Sequence, residues 1–566
     1  MAEELTVVTE RVDDIPLLLA QEERMEIARL IDEHFPAHGN WRGLSPGQTL
    51  AVWLAHILSE ADHRLNHVQP WAAKLLSTLG MCLGRPVSEL DFTDDRLALL
   101  LTALSDDRRW NQFESDLNGR ILRVYDLRAE RIRVDSTTTT GYWRITDDGL
   151  FQIGHNKEHR AGRQPQLKVV LSVLDPLGLP VVTQVVAGNC ADDPLYIPAI
   201  EQVRDSLGRS GLLYVGDCKL PARKTRAFVQ AGGDFYLAPL SKVQVPDDSL
   251  RAYLAPVWRG EQALQPVTRV GLDGESQVVA EGFECEESMD ILLDGQRVSW
   301  TERRLVIRSL GQAKAQQVAL RRRLTAAQAK LETLNVHTRG RKIYTDLASL
   351  QGKVQTILDS HRVVGLLTVH YERRPTITSP KGNPKPVIWV QAVPNEMAIQ
   401  QAEAYMGWKV YATNQSRDIL SLEQAVLAYR EQYTVERSLG RLKGKPLSLS
   451  PMYLQDEGRA TGLVRLLSLG VRLLTLLEFS VQRRLTQEQA TLAGVYAGNP
   501  TRATARPSAQ LLLEAFQHIT LTVLTIGQQV HRHLTPLSDV QHRILALLDL
   551  PVATYTRLST DPQNPP

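Results

Sequence analysis

Three acidic residues in this sequence stand where a metal-dependent phosphoryl transfer would need them. Asp135 follows the run RIRV, Asp217 follows GLLYVG, and Glu436 lies within the helical pattern YREQYTVERSLGRLKG. A carboxylate at the C-terminal end of a strand faces the crevice where ligands bind in an α/β sheet. Carboxylate oxygens are the ligands that Mg²⁺ prefers. Two such ions, about 4 Å apart, can activate a water on one side and stabilise a leaving oxygen on the other.

The same three residues also have ordinary explanations. An aspartate after a strand is commonly a turn residue or a helix N-cap, and a glutamate within a helix usually lies on a solvated face. Apolar periodicity does not select these three from the 63 acidic residues of the chain. Their selection therefore needs a second argument, which comes from the sequence around them.

The sequence around Glu436 resembles DDE transposases of bacterial insertion sequences, in the group that carries the signature Y-x2-R-x3-E-x6-K. Tyr429, Glu436 and Lys443 match that spacing. Gln432 stands where the group usually has arginine, with Arg430 close by. The departure concerns position 432 alone, and the role of Glu436 stays as the resemblance implies it.

The resemblance covers residues 130 to about 480. RVDST resembles the motif of the first aspartate, and GHNKEHR with QPQLK resembles a stretch that follows it in one subgroup. AGNCADD and YVGDCKL resemble the region of the second aspartate, and VERSLGRLKG that of the glutamate. The resemblance implies a ribonuclease-H-like catalytic core in an α/β fold. It also implies that Asp135, Asp217 and Glu436 are catalytic and bind Mg²⁺ or Mn²⁺.

The signature also predicts side chains that contact DNA. On one continuous helix, Tyr429, Gln432, Glu436 and Lys443 would share a stripe about 60° wide at 100° per residue. Such a face presents a metal ligand, a cation for phosphate and an aromatic hydroxyl. Further predicted contacts are basic or histidine side chains near it or in the loop GHNKEHR, namely Arg437, Arg441, Lys157, His159 and Arg160. The alternative for the basic residues of the helix is a solvated helix end.

The catalytic aspartates require a sheet, and strand patterns before residue 240 predict one. RIRVDSTTTT predicts a strand that ends at Asp135, with Thr137–Thr140 continuing or ending it. LKVVLSVLDPLGLPVVTQVVAG predicts a β-hairpin with its turn at Asp175–Gly178, and GLLYVGDC predicts a short strand that ends at Asp217. Strands in alternation with helices indicate a mixed α/β sheet.

Helix caps mark several further elements. Ser45 opens a capping box in the N-terminal region, and Ser421 opens another, which begins a long helix that runs through Lys443. Asp192 and Asp193 are predicted to cap the helix that follows them. Leucines and alanines spaced 4, 3, 4, 3 between residues 320 and 334 predict one arm of a helical hairpin.

These patterns divide the chain into five predicted segments. They are a helical N-terminal domain with a candidate role in binding DNA ends (1–125), the first part of the catalytic core (126–240), an insertion with a β-rich part and a helical hairpin (241–410), the last part of the core with the signature helix (411–485), and a helical C-terminal region with a disordered tail (486–566).

Composition limits the classes of protein that the chain can represent. Its 566 residues exceed one compact core, and a formal net charge of +2 excludes a globally basic protein, so a DNA surface must be local. Four scattered cysteines without a C-x-x-C pair argue against a zinc finger or a disulfide framework, and fit a reducing cytoplasm. The apolar stretch Leu463–Leu485 contains Arg465, Arg472 and Glu478, which favours a buried helix over a membrane span.

The sequence therefore predicts a cut-and-paste transposase that acts on duplex DNA as a homodimer, in the cytoplasm of a bacterium. Hydrolysis at the element's ends would free 3′-hydroxyls, which then attack target DNA. Two alternatives remain. One is a transposase-derived nuclease without strand transfer, and the other is a catalytically dead DNA-binding protein. The presence of all three carboxylates argues against the second alternative.

Overall fold

The computed structural model describes residues 5–155, 164–271, 274–336, 343–375 and 386–559. The N-terminal region is largely helical, as predicted, and Ser45 forms the predicted capping box, with its side chain accepting from Gln48 N. Its elements are β1 Leu5–Arg11, α1 Ile15–Arg24, α2 Ile27–His34, α3 Pro46–Glu60, α4 Leu65–Ala72, α5 Leu76–Leu83, α6 Asp94–Leu104 and α7 Asp107–Val124.

Strands and helices then alternate, which agrees with the predicted mixed α/β class. The predicted hairpin turn at Asp175–Gly178 lies between β3 and β4. The elements are β2 Arg131–Thr140, β3 Gln166–Leu174, β4 Leu179–Ala187, α8 Tyr196–Leu207, β5 Leu213–Val215, α9 Arg223–Ala231 and β6 Phe235–Pro239.

The segment from 240 to 413 contains long strands and two long helices. Its elements are α10 Asp247–Trp258, β7 Gln265–Val270, β8 Ser276–Leu293, β9 Gln296–Ser309, α11 Leu310–Glu332, α12 Leu347–His361, β10 Leu367–Pro375, β11 Pro386–Pro394, α13 Glu396–Ala404 and β12 Trp408–Thr413.

The rest of the chain begins with helices and ends in a mixture of short strands and helices. Its elements are α14 Leu422–Arg430, α15 Tyr433–Lys443, α16 Glu457–Gln487, β13 Leu492–Ala493, β14 Ala503–Thr504, α17 Ala509–Glu514, β15 Thr520–Ile526, β16 Gln529–Leu534, α18 Asp539–Leu548 and α19 Ala553–Thr556.

The chain forms two compact units. The first comprises residues 1–238, 290–299 and 429–566, and the second comprises residues 239–289 and 300–428. In the first unit, five strands lie in the order β4-β3-β2-β5-β6. β2, β5 and β6 are parallel, whereas β3 runs antiparallel to both of its neighbours, β2 and β4. The catalytic candidates all belong to this first unit.

Helix α16 is the central buried helix of the first unit. By length and composition it could cross a membrane, but 94% of its most apolar window is buried inside the protein. Its charges are paired within the fold. Arg472 forms an ion pair with Glu114 of α7 and donates to Pro180 O at 2.8 Å, and Arg465 donates to Leu104 O at 2.7 Å. The prediction of a buried helix is confirmed.

The C-terminal region departs from the mostly helical structure that was predicted. β15 and β16 form a sheet with β1 in the order β1-β15-β16, so the first strand of the chain pairs with a strand near its end. The reason is visible in TLTVLTI, where β-branched and apolar residues alternate with the period of a strand and not of a helix. The prediction of a helical region was therefore wrong for residues 520–534.

The second unit has its own sheet strands and its own core. β12, β9, β8 and β7 follow one another in the sheet, and β9 pairs antiparallel with β12 through Arg308 and Trp408. The α11–α12 pair and the β10–β11 hairpin bury a separate apolar cluster, which includes Leu324, Leu350 and Val390. The prediction of a helical hairpin in this segment is confirmed. The helix α10, in the stretch expected to be β-rich, was not predicted.

Candidate active site

Strand register brings Asp135 and Asp217 to the same level of the sheet. β2 and β5 are parallel, and their last paired residues are Arg133 and Val215. Asp135 lies two residues further along β2, and Asp217 lies two residues past Val215, just after β5 ends. Both side chains are half-buried. The two carboxylates are therefore held near each other by backbone pairing.

β2 is longer than the sequence analysis predicted. It continues through the threonine run to Thr140, so Asp135 lies in the middle of the strand and not at its end. The β-branched threonines pair with β3 as far as Thr140 opposite Gln166. Only the parallel pairing with β5 stops before Asp135. The strand end that leaves space beside Asp135 is therefore the end of β5.

The pKa values of two tyrosines are shifted by the charges of the three carboxylates. Burial raises the pKa of Tyr196 well above its usual value, and the charges of Asp217 and Asp135 raise it further. Burial raises the pKa of Tyr429 to about 12, with further contributions from Asp217, Cys218 and Glu436, whereas Arg133 lowers it. The charges of Asp217 and Asp135 thus both act on Tyr196, and those of Asp217 and Glu436 both act on Tyr429.

Glu436 is exposed on α15, and this helix packs against β2 and β3. The turn of the β3–β4 hairpin fixes the helix. Ser438 Oγ donates to Gly178 O at 2.6 Å, and Arg437 Nη2 donates to Leu177 O at 3.0 Å. Gly178 has φ +74, and a Cβ built there would lie 2.6 Å from Ser438 Oγ. The close approach of turn and helix therefore requires glycine at this position.

The predicted continuous helix from Ser421 to Lys443 is interrupted at Glu431 and Gln432. Thr434 N donates to Glu431 O at 2.9 Å, a tightened turn between α14 and α15. Arg133 Nη1 donates to Gln432 Oε1 at 3.3 Å. The prediction of one continuous helix from Ser421 to Lys443 was therefore wrong. Tyr429 lies at the end of α14, whereas Glu436 and Lys443 lie on α15.

A comparison with known families identifies the family of the chain. The family described as "Transposase DDE domain" matches residues 129–469, which is more than half of the chain. This chain belongs to the DDE transposase family. The matched residues contain all three candidate carboxylates, and membership implies an enzyme that cleaves and transfers DNA.

Other comparisons add little to the family assignment. No curated protein matches this DDE transposase. Among solved structures, the cryo-EM structure of a piggyBac transposase synaptic complex with hairpin DNA is similar over 88% of this chain and 79% of that one. The two share 8% identity, with a TM-score of 0.34. A TM-score this low does not establish a shared fold.

The donor set of the transposase suits a divalent cation. Three carboxylates supply the hard oxygen ligands that Mg²⁺ and Mn²⁺ favour. In the described part of the chain they do not form a group whose ligand atoms all lie within 4.8 Å of one another; that spacing is met by Glu33, His34 and Asp116. Two ions about 4 Å apart spread their ligands over a wider space than one ion, so the wider spacing does not exclude a two-ion site.

The group at Glu33 is a surface ion-pair cluster. Glu33 accepts from Arg29 Nη1 at 2.8 Å, and Asp116 lies 2.8 Å from His34 Nε2. Its members lie on α2 and α7, outside the residues that match the transposase domain.

The predicted DNA contacts have varied surroundings. Arg441 is largely buried and forms an ion pair with Glu478, and Arg437 is 45% exposed beside the same glutamate. Gln432 is held by Arg133. Lys443 and Tyr429 are half-buried. Lys157, His159 and Arg160 lie outside the described residues.

Three residues of the site were not predicted from the sequence in these roles. Arg133, fully buried, pairs with Asp175 at 2.9 Å and so joins β2 to the hairpin turn. Tyr196 donates to Asp217 Oδ1 at 2.8 Å. Asp192 was predicted to cap a helix, but its side chain makes no cap hydrogen bond and accepts from Lys168 Nζ at 2.7 Å. The sequence signal for Arg133 was its place two residues before Asp135.

Proposed function

We propose that this DDE transposase carries out cut-and-paste DNA transposition with Asp135, Asp217 and Glu436 as its catalytic residues. The observation that supports the proposal most directly is the register of β2 and β5, which sets the two aspartates side by side. The strand order β4-β3-β2-β5-β6, with β3 antiparallel, is also the order expected of a ribonuclease-H-like core. The bacterial insertion-sequence group remains our assignment from the signature.

The proposed chemistry consists of two in-line displacements at phosphorus. In the first, a water oxygen attacks a phosphodiester at the element's end, the bond from phosphorus to the 3′ oxygen breaks, and a 3′-hydroxyl is released. In the second, that hydroxyl attacks a target phosphodiester and displaces another 3′ oxygen. Divalent cations held by the three carboxylates would act as Lewis acids and lower the pKa of water. No covalent bond between protein and DNA is required.

The protein's own residues orient these reactants. The parallel strands β2 and β5 fix the aspartates, and the hairpin turn fixes the helix that carries Glu436. Lys443, which lies seven residues after Glu436 on α15, is the proposed contact to a backbone phosphate. We propose duplex DNA as the partner, a homodimer as the acting species and the bacterial cytoplasm as the compartment.

Strand-transfer assays test this proposal against its alternatives. A labelled duplex that carries the element's end is incubated with target plasmid and Mg²⁺, and joined products are separated from cleaved ones. Joined products support the transposase. Cleavage without joining would indicate a nuclease, and binding without cleavage would indicate an inactive DNA-binding protein. Activity should fail in EDTA, and Ca²⁺ should support binding but little chemistry, because its looser coordination does not enforce in-line geometry.

A further inference from the structure

The segment 190–196, which leads into α8, contacts both strands that carry the catalytic aspartates. On the β2 side, Ser136 Oγ donates to Asp192 Oδ1 at 3.0 Å, and Ser136 is the neighbour of Asp135. Lys168 of β3 donates to the same Asp192 oxygen at 2.7 Å. Because successive side chains of a strand leave opposite faces, Ser136 and Lys168 anchor this end of the segment to the sheet face opposite the Asp135 side chain.

The other end of the segment contacts the second aspartate directly. The hydroxyl of Tyr196 donates to Asp217 Oδ1 at 2.8 Å, and Lys219 N donates to the same oxygen at 2.8 Å. Asp193 also pairs with the Lys219 side chain at 3.4 Å. Among the described residues, both hydrogen bonds to the Asp217 carboxylate go to Oδ1. Oδ2 is therefore the oxygen left to bind a cation.

The ring of Tyr196 is held as firmly as its hydroxyl. The residue is 5% exposed. A Cβ built on Gly216 would lie 3.2 Å from Tyr196 Cε1 and 3.0 Å from Leu220 Cβ, so the ring packs closely against the backbone just before Asp217. Because the buried ring has a fixed position, its hydroxyl points in one direction, toward the Asp217 carboxylate.

We propose that Tyr196 is a positioning residue for Asp217. Its hydroxyl fixes Oδ1, which would leave Oδ2 to hold a divalent cation, and the segment 190–196 ties β2 to the Asp217 carboxylate. Partners that orient a metal-binding carboxylate typically contribute tenfold to a hundredfold to metal affinity. The proposal rests on the metal-binding role assigned to Asp217 under the proposed function.

The test measures Mn²⁺ affinity directly, on the full-length chain, from the electron paramagnetic resonance signal of unbound Mn²⁺. Tyr196→Phe keeps the ring and removes the hydroxyl, and should raise the Mn²⁺ dissociation constant about tenfold. Its cleavage rate should fall at low Mg²⁺ and recover at saturating Mg²⁺. Tyr214→Phe is the matched control, because it removes a buried tyrosine hydroxyl from β5 itself, in the neighbourhood of Arg204 and Asp234, and should change neither quantity.

The outcomes separate this proposal from the proposed function. Unchanged Mn²⁺ affinity in Tyr196→Phe, with binding lost in Asp217→Asn, would overturn the positioning role and leave the active site standing. Unchanged affinity in Asp217→Asn would overturn the site itself. A cleavage defect in Tyr196→Phe that high Mg²⁺ does not restore, at unchanged Mn²⁺ affinity, would show a merely structural role.

A second variant keeps the test decisive if Tyr196→Phe does not fold. Asp193→Asn removes only the ion pair with Lys219, in which both side chains are about half exposed. The Asp193→Asn substitution loosens the segment 190–196 next to Asp217. Because exposed ion pairs contribute little, it should raise the Mn²⁺ dissociation constant by about twofold. Wild-type affinity in this variant would count against the proposal.

Discussion

Asp135 and Asp217 depend on their backbone for position, whereas Glu436 depends on side chains. The aspartates follow directly from a parallel strand pair, so their spacing is set by sheet geometry. Glu436 stands on an exposed helix face and is located by contacts of Ser438 and Arg437 with the hairpin turn. Substitutions of the aspartates themselves therefore test chemistry, while substitutions around Glu436 also test placement.

The first prediction concerns the three carboxylates. Asp135→Asn, Asp217→Asn and Glu436→Gln should each abolish DNA cleavage, because an amide keeps the shape of the side chain and removes its charge for metal. Folding and binding of DNA ends should remain close to wild type. The measurements are cleavage of a labelled end, circular dichroism and a mobility shift.

Glu33→Gln is the control for this series. Glu33 belongs to the acidic group on α2 that could by spacing hold a metal ion. It should cleave DNA at the wild-type rate. Near-normal cleavage by any of the three active-site variants would remove that residue from the catalytic set, and loss of cleavage by Glu33→Gln would place the metal elsewhere.

The second prediction concerns Lys443. Each phosphate neutralised on duplex DNA contributes roughly 0.9 to the slope of log affinity against log salt. Lys443→Ala should therefore flatten that slope by about one and weaken binding alike on all sequences, since a phosphate contact carries no base information. It should also slow cleavage by misplacing the strand.

Lys330→Ala is the matched control, because Lys330 is an exposed lysine in the last turn of another helix, α11. It should leave both the slope and the rate of cleavage unchanged. Equal effects of the two substitutions would show that Lys443 is only a solvated charge at a helix end. The match to the signature around Glu436 would then lose its mechanistic meaning.

At the scale of elements, sequence patterns correctly predicted the features that neighbouring residues determine, such as a helix cap and a hairpin turn. Ser45 and its capping box start α3 as predicted, and the turn at Asp175–Gly178 joins β3 to β4. The break between α14 and α15 could not be predicted, because it coincides with the capture of Gln432 by Arg133, a residue 299 positions away. Tyr196 could not be found either, since a lone tyrosine has no spacing that points to a carboxylate.

The third prediction concerns the contact between the hairpin turn and α15. Gly178→Ala places a methyl group 2.6 Å from Ser438 Oγ and 2.9 Å from Thr434 O, so turn and helix must separate. A displacement near 1 Å at a catalytic group can cost about 10²-fold in rate. Cleavage should therefore fall on the order of a hundredfold, measured at saturating Mg²⁺ and DNA.

Gly208→Ala separates this contact from backbone strain. Gly208 also has a positive φ, +59, but a Cβ there meets nothing within 4 Å. Both substitutions incur the cost of an alanine in the left-handed region, and only Gly178→Ala adds the clash. If the two variants lost activity equally, strain and not the position of α15 would account for the effect.

At the scale of the whole molecule, the N-terminal helices are tied to the rest of the first unit by buried charged side chains. Arg472 and Arg465 of α16 are buried and use Glu114, Asp107 and Leu104 O, all before residue 125, as partners. A buried charge that loses its partner typically costs about 3–5 kcal/mol. Deletion of residues 1–125 should therefore unfold the catalytic core and cannot by itself test whether these residues bind DNA ends.

The last prediction concerns the part of the second unit between β9 and β12. Arg308 of β9 pairs with Trp408 of β12, and the next residue, Ser309, donates its N–H to Gly407 O at 2.9 Å. The segment between these strands therefore begins and ends at adjacent positions. The apolar cluster of α11, α12, β10, β11 and α13 lies between these points. Replacement of residues 310–406 by Asn-Gly, which favours a two-residue hairpin turn, should leave a folded protein.

The excised protein should remain monodisperse on a sizing column, show one cooperative thermal transition, and keep Mg²⁺-dependent nicking, because the strands of the active site are untouched. A modest loss of melting temperature is expected, since Tyr405 leaves its edge-to-face contact with the Trp258 ring at 4.9 Å. Aggregation would show that this cluster completes the fold of its unit. Folding with normal nicking but no recognition of the element's ends would instead make it the DNA-reading part of the transposase.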